Sequence, residues 1–323
     1  MPNGKAWESN AMIVLRSELL TVALSPYGAR LTGLWHKDFP QSLVLGAPSG
    51  SDFTSDLMYF GALIGPIANR VSGGCIRIAD TTWQMETNEP PNCLHSGSNG
   101  LHALNWTIAD QSECHATFQI VLDHGHGGLP GNRTFVATYA VEDAKLLLDI
   151  HATSDQTTPI NIAHHPYWNL SQEVSVGQHT LKTAADTYLP VDNATCPTGD
   201  IASVSGTAYD FTQPRMVPTD TTLDANLCLS NIRRAIPHFA ARLSAKDGPT
   251  LAIATTEPGL QIYNGTGLRP SNTKLHSGQK LGCGAGIALE PQGWPDAQLH
   301  PHFPSILCTV GTRYRQSTVY SFA

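Results

Sequence analysis

Glycine and proline interrupt this chain so often that no helix has room to run. Its 28 glycines and 22 prolines are spread along all 323 residues, and the segments between them are short apolar or alternating runs without a sustained period of about 3.6 residues. Residues 20–24, 115–122, 134–141 and 145–151 have this character. Alternation puts one row of side chains on each face of a strand, so the apolar row must be buried against a second layer. Glu142-Asp143-Ala144 leaves a hairpin-sized gap between the last two runs. Asp247-Gly248, between 241–245 and 250–254, offers the positive φ angles of a tight turn. The expected fold class is all-β.

Length alone permits either two ordinary domains or one large sandwich. No low-complexity linker or internal repeat divides the chain, so the expectation is a single domain over residues 1–323, built as a large antiparallel β-sandwich. No heptad seam or apolar stripe stands out, which makes a monomer or weak homodimer the default.

Charge and cysteine usage narrow the partners. Charged residues make up 14% of the chain and the net charge is -7, so there is no basic surface for nucleic acid, and a neutral polar small molecule fits better. No run of about 18 apolar residues could span a bilayer. The opening residues, MPNGKAWESNAMIVL, lack the pattern of an export signal. Seven scattered cysteines without a CxxC pair argue against a disulfide framework and a zinc finger, and point to a reducing, cytoplasmic setting.

Several segments could carry chemistry. Asn92-Cys93-Leu94-His95-Ser96-Gly97 sets a histidine among turn formers, which taken alone reads more readily as an idle surface loop than as a functional one. Asn161-Ile162-Ala163-His164-His165-Pro166-Tyr167-Trp168-Asn169 carries two histidines that a strand would aim at opposite faces, so only one can serve a given pocket. A histidine near its ordinary pKa is well suited to proton transfer at neutral pH, although both could equally be packed against the aromatics. In Ile287-Ala288-Leu289-Glu290-Pro291-Gln292-Gly293-Trp294 a carboxylate closes an apolar strand, consistent with a partly desolvated base at a cleft edge or with a structural glutamate on backbone amides. Asn69-Arg70 and Asp224 offer polar groups that could fix hydroxyls or form a surface ion pair.

The order of these segments resembles the aldose 1-epimerase (galactose mutarotase) family nearly end to end. The resemblance runs through Pro26-Tyr27-Gly28-Ala29-Arg30-Leu31, Asn69-Arg70-Val71, Leu94-His95-Ser96-Gly97, Leu129-Pro130-Gly131, His165 with Asn169-Leu170, and Leu189-Pro190-Val191-Asp192. It continues with Gln261-Ile262-Tyr263-Asn264-Gly265, Leu289-Glu290 and Trp294-Pro295-Asp296-Ala297. It implies that family's β-sandwich, called a supersandwich, with an open cleft. The implied activity is interconversion of the α and β anomers of a free sugar, needing no cofactor and no metal. Glu290 matches the family's general base, His165 its general acid, and His95 a second histidine on the ring-oxygen side. Asn69, Arg70, Asp224 and Gln261 match residues that hold hydroxyls, and Trp294 is expected to lay its face against the sugar. Three positions depart from the commoner pattern: Pro66, His164 and Ala225. The last two are expected near the hydroxyl-binding rim.

Other readings of the same residues remain. His95, His165 and Glu290 could form a two-histidine, one-carboxylate metal triad. The sandwich could bind or sense sugars without turnover. A sugar phosphate is a poor substrate candidate, because Arg70 is the only cation near the expected cleft.

Overall fold

The computed structural model describes residues 12–48 and 53–323. The start of the segment read above for an export signal, residues 1–11, lies outside the described residues. Strands dominate, and the only helical elements among the described residues are short 3₁₀ turns. No helix among them is long and apolar enough to cross a membrane.

Two antiparallel sheets form the body. Among the described residues the larger has nine strands, with Thr250–Thr255, Tyr314–Phe322, Lys145–Ser154 and Arg133–Glu142 consecutive at its centre. The smaller has six, in the order Tyr167–Trp168, Ile287–Gln292, Gly259–Tyr263, Asp224–Cys228, Thr187–Tyr188 and Ala202–Ser203. One apolar core joins them: Phe118, Phe135, Leu148, Ile150, Ile253 and Tyr320 from the large sheet pack in the same cluster as Leu227, Leu260, Ile262, Ile287 and Leu289 from the small one. A third, three-stranded sheet adds Leu15, Val22, Leu24 and Leu31. Each such fully buried side chain contributes about 1.5–3 kcal/mol. The alternation in the sequence is what builds this core, since Arg133–Glu142 buries every second residue.

The turns refine the sequence reading. Glu142 pairs directly with Lys145, so the first hairpin turns on Asp143 and Ala144 alone, with Asp143 at φ +48°. The second pairs Ser244 with Thr250 and is wider than a tight two-residue turn. Gly248 has no positive φ. It is required because a Cβ there would lie 1.8 Å from the Leu170 carbonyl oxygen, so close approach replaces the expected turn geometry as the reason for glycine.

Candidate active site

The small sheet turns one face to the core and the other to a cavity of about 200 Å³. Strand register decides which residues reach that cavity. Gln261 pairs with Asn226 on one side and Glu290 on the other, while Tyr263 pairs with Asp224 and Ala288. Ile262 and Leu289, one residue along, belong to the core. Asp224, Gln261, Tyr263 and Glu290 therefore line the cavity floor. Ala225 pairs with core-facing Ile262 and is buried, so the expectation that it marks a hydroxyl-binding rim is corrected.

Two loops clamped to one another form a wall. The His95 N–H donates to the Asn69 carbonyl, the Asn69 N–H donates to His95 Nδ1, each at 3.1 Å, and Ser96 Oγ donates to the Ile67 carbonyl at 2.9 Å while accepting the Ile67 N–H at 2.8 Å. Asn69, His95 and Ser96 all have positive φ, at +65°, +54° and +66°. Such conformations cost on the order of 1–3 kcal/mol each for residues with a side chain, and the reciprocal bonds hold them. Because Nδ1 accepts, the ring proton of neutral His95 sits on Nε2. Burial, with His165, His102 and Arg70 nearby, holds the His95 pKa well below its ordinary value of 6.5, so the neutral form prevails.

His165 follows the two-residue strand Ala163–His164. Its backbone is pinned on both sides, its N–H donating to the Ala62 carbonyl at 3.0 Å and its carbonyl accepting the Gly61 N–H at 2.8 Å. Gly61 has φ +65°, and a Cβ there would meet the Leu31 carbonyl oxygen at 1.8 Å. His165 faces the cavity while His164 points into the core, its Nδ1 3.0 Å from the Tyr320 hydroxyl. The two histidines diverge as strand alternation requires, but His164 is not at the rim, and that expectation is corrected: the ring is 1% exposed.

His165 Nε2 lies 3.5 Å from Glu290 Oε1, with both side chains almost wholly buried. The sequence pattern puts Glu290 at a strand end, partly desolvated. It stands instead within Ile287–Gln292, and burial, then nearby Asp224, pushes its pKa well above the ordinary 4.5. Burial first, then His102 and Arg30, brings His165 down to about 4 against one opposing backbone hydrogen bond. Both shifts favour neutral forms, as desolvation must.

Arg70 forms a bidentate pair with Glu89, at 2.5 Å from Nε and 3.1 Å from Nη2, and its Nη1 is 3.8 Å from Asp224 Oδ2. Gln261 Nε2 donates to Asp224 Oδ1 at 2.6 Å. Burial raises the Asp224 pKa against the opposing pull of Arg70 and the Gln261 bond. Two buried acceptors on cavity-lining residues, Gln261 Oε1 and Glu290 Oε2, have no hydrogen-bond partner among the described residues. Unsatisfied buried acceptors call for hydroxyl donors. Among the described residues no group of three or more His, Cys, Asp or Glu side chains is arranged to hold a metal ion.

A family model described as aldose 1-epimerase matches residues 11–321. The chain belongs to the aldose 1-epimerase family. It is 33% identical over 321 residues to galactose mutarotase of Homo sapiens, covering 96% of this chain and 93% of that protein. It is 28% identical over 339 residues to aldose 1-epimerase of Escherichia coli K12, covering 99% and 96%. Among solved structures, an aldose epimerase homologue from C. elegans superimposes with a TM-score of 0.89 at 29% identity, covering 98% of this chain and 99% of that one.

Against the sequence expectations for this aldose 1-epimerase family member, the cavity brings together Asn69, Arg70, His95, His165, Asp224, Gln261 and Glu290. Trp294 is the exception. Its indole N–H donates to the Pro258 carbonyl at 3.0 Å and its ring packs on Phe303 at 5.0 Å, in a separate apolar cluster with Ile67 and Cys93. Aromatic faces at the cavity come instead from Tyr59, Tyr167 and Tyr263. Tyr59 lies among three imidazoles, its ring 4.7 Å from His95, 4.9 Å from His102 and 6.2 Å from His165. Tyr167 and Tyr263 fall within segments already singled out. Nothing local in the sequence marks Tyr59 or Glu89.

Proposed function

We propose that this chain is an aldose 1-epimerase acting on free aldoses through its own side chains, without metal or cofactor. The observation that carries the reading is the buried 3.5 Å approach of His165 Nε2 to Glu290 Oε1. Opening a cyclic hemiacetal needs one proton taken from the anomeric hydroxyl and one delivered to the ring oxygen, so a facing base and acid are the minimum machinery.

With one proton on the pair, carboxyl–imidazole and carboxylate–imidazolium differ only by transfer between Oε1 and Nε2. A sugar entering as hydrogen-bond donor stabilises the carboxylate form. Glu290 then takes the C1-hydroxyl proton, His165 Nε2 gives its proton to the ring oxygen, and the C1–ring-oxygen bond breaks to leave an open-chain aldehyde. Rotation about C1–C2 presents the other face. The same transfers in reverse close the ring and restore the pair. His95 donates from Nε2 toward the ring-oxygen side, while Asn69, Arg70, Asp224 and Gln261 hold hydroxyls. Each proton transfer contributes about 10²–10⁴-fold, with positioning adding to it. The names of the relatives, galactose mutarotase and aldose 1-epimerase, support the same reading. We also assign the protein to the cytoplasm, as a monomer or weak homodimer, since all seven cysteines are free.

Polarimetry tests the proposal. Freshly dissolved α-D-glucose, α-D-galactose and L-arabinose should approach rotational equilibrium faster with the protein present. Binding of a sugar without any acceleration would leave only the non-catalytic reading.

A further inference from the structure

We infer that Glu89 is a positioning residue that commits the site's one available cation to carboxylates, and so makes the site select neutral sugars and reject anionic ones. The inference rests on the epimerase reading above and names the substrate class.

Among the described residues, Arg70 is the only lysine or arginine lining the cavity. Its guanidinium is a planar fork that could grip a carboxylate or phosphate from two sides. Glu89 occupies that fork through Nε and Nη2, and what remains, Nη1, already faces Asp224. The next cation inward, Arg30, gives its hydrogen bonds to the carbonyls of Tyr27, Leu57, Phe60, Met58 and His102. Burial keeps the cavity imidazoles His95 and His165 neutral. The guanidinium thus faces the carboxylates of Glu89 and Asp224, and among the described residues an anionic substituent finds no free positive partner.

Exposure sorts the roles. The Arg70 side chain is 12% exposed and that of Glu89 is 41% exposed. An ion pair with one solvated member adds little to stability. Bidentate geometry still fixes which way Arg70 points, and the charge of Glu89 also acts on Asp224 and Tyr59. The carboxylate thus sets both the aim of Arg70 and the sign of the field in the cavity.

The test compares mutarotation of galactose, galacturonate and the uncharged methyl ester of galacturonate, using the full chain and its Glu89→Gln and Glu89→Asp variants. The parent should turn over galactose and the ester far better than galacturonate. In Glu89→Gln the galacturonate-to-galactose ratio of kcat/KM should rise about tenfold, and KM for galactose should rise more than kcat falls, because Arg70 loses part of its hold. Glu89→Asp keeps the charge and should keep the parental ratio. A ratio that moves less than twofold in Glu89→Gln, an equal move in Glu89→Asp, or an ester rejected as strongly as the acid overturns the inference. Should the parent accelerate none of these sugars, the epimerase reading fails instead, and the same ratios read from calorimetric binding still decide the role of Glu89.

Discussion

Glu290 Oε1 stands 3.5 Å from His165 Nε2 with both side chains almost wholly buried, and that burial drives the carboxyl up in pKa and the imidazole down. The sheet supplies one partner and the residue after Ala163–His164 the other, and both are held at the backbone, Glu290 within a paired strand and His165 by hydrogen bonds on both sides.

Glu290→Gln keeps the size and burial of the side chain but cannot exchange a proton. On the proposed mechanism kcat for galactose mutarotation should fall by about 10²–10⁴-fold, with thermal unfolding no lower than the parent's, because a desolvated carboxyl has been removed. Polarimetry alongside circular dichroism checks this. An unchanged rate would remove Glu290 from the chemistry.

The pH profile should be a bell with its limbs the reverse of ordinary expectation. Activity needs one proton on the pair. A second is added as pH falls through the His165 value of about 4, which sets the acid limb. The single proton is lost at the pKa of Glu290, raised above the usual carboxylate range, which sets the alkaline limb. Asp224 contributes to that rise, so Asp224→Asn should move the alkaline limb of kcat to lower pH and leave the acid limb in place. A profile whose alkaline limb stays put in Asp224→Asn would contradict the assignment.

Much of this site is legible in the sequence, for a physical reason. Period-two alternation is local, so the hairpin at Asp143, the strand bearing Glu290 and the divergence of His164 from His165 all follow from neighbouring residues. The ordered resemblance supplies the rest of the cavity floor. Glu89 pairs with Arg70 across 19 residues and Tyr59 meets His95 and His165 through loops, and no periodicity encodes contacts of that kind. The depth of burial of Glu290 escaped for the same reason, since the covering loops come from distant segments.

His95 should remain neutral with its proton on Nε2 at pH 6.5, where a free imidazole is half charged, because the Asn69 N–H occupies Nδ1 and burial opposes the imidazolium. Long-range ¹H–¹⁵N correlation spectra distinguish the two tautomers and the charged form directly. His95→Ala removes the donor and should lower kcat/KM by roughly 10²-fold, while His95→Gln, whose amide can still donate, should recover part of it. A charged His95 at pH 6 would contradict the assigned hydrogen bond.

Acid should unfold the protein steeply. Burial brings His102, His165 and His179 to about 4 and His164 to about 3, with His95 also well below 6.5. Below pH 6.5 the unfolded chain binds protons that these folded imidazoles refuse, so stability is present above that pH and drains away as pH falls toward 4. Each contributes up to about 1.4 kcal/mol per pH unit. The buried carboxyls Glu290, Asp224 and Glu257 are shifted upward and oppose this, but the imidazoles outnumber them. Melting temperatures from pH 7 to 5 should fall, and His164→Asn should flatten the slope.

Trp294 separates the resemblance from the geometry. A tryptophan stacked on the sugar would raise KM when shortened, whereas one buried on Phe303 with its N–H on Pro258 serves the fold. Trp294→Phe should therefore lower stability by about 1–3 kcal/mol, through the lost hydrogen bond and the space the smaller ring leaves. KM for galactose should change less than twofold. Tyr263→Ala, by contrast, strips an aromatic face from the cavity itself and should raise KM several-fold. Chemical denaturation and polarimetry on the two variants decide between the roles: a raised KM with unchanged stability in Trp294→Phe would return the tryptophan to the sugar.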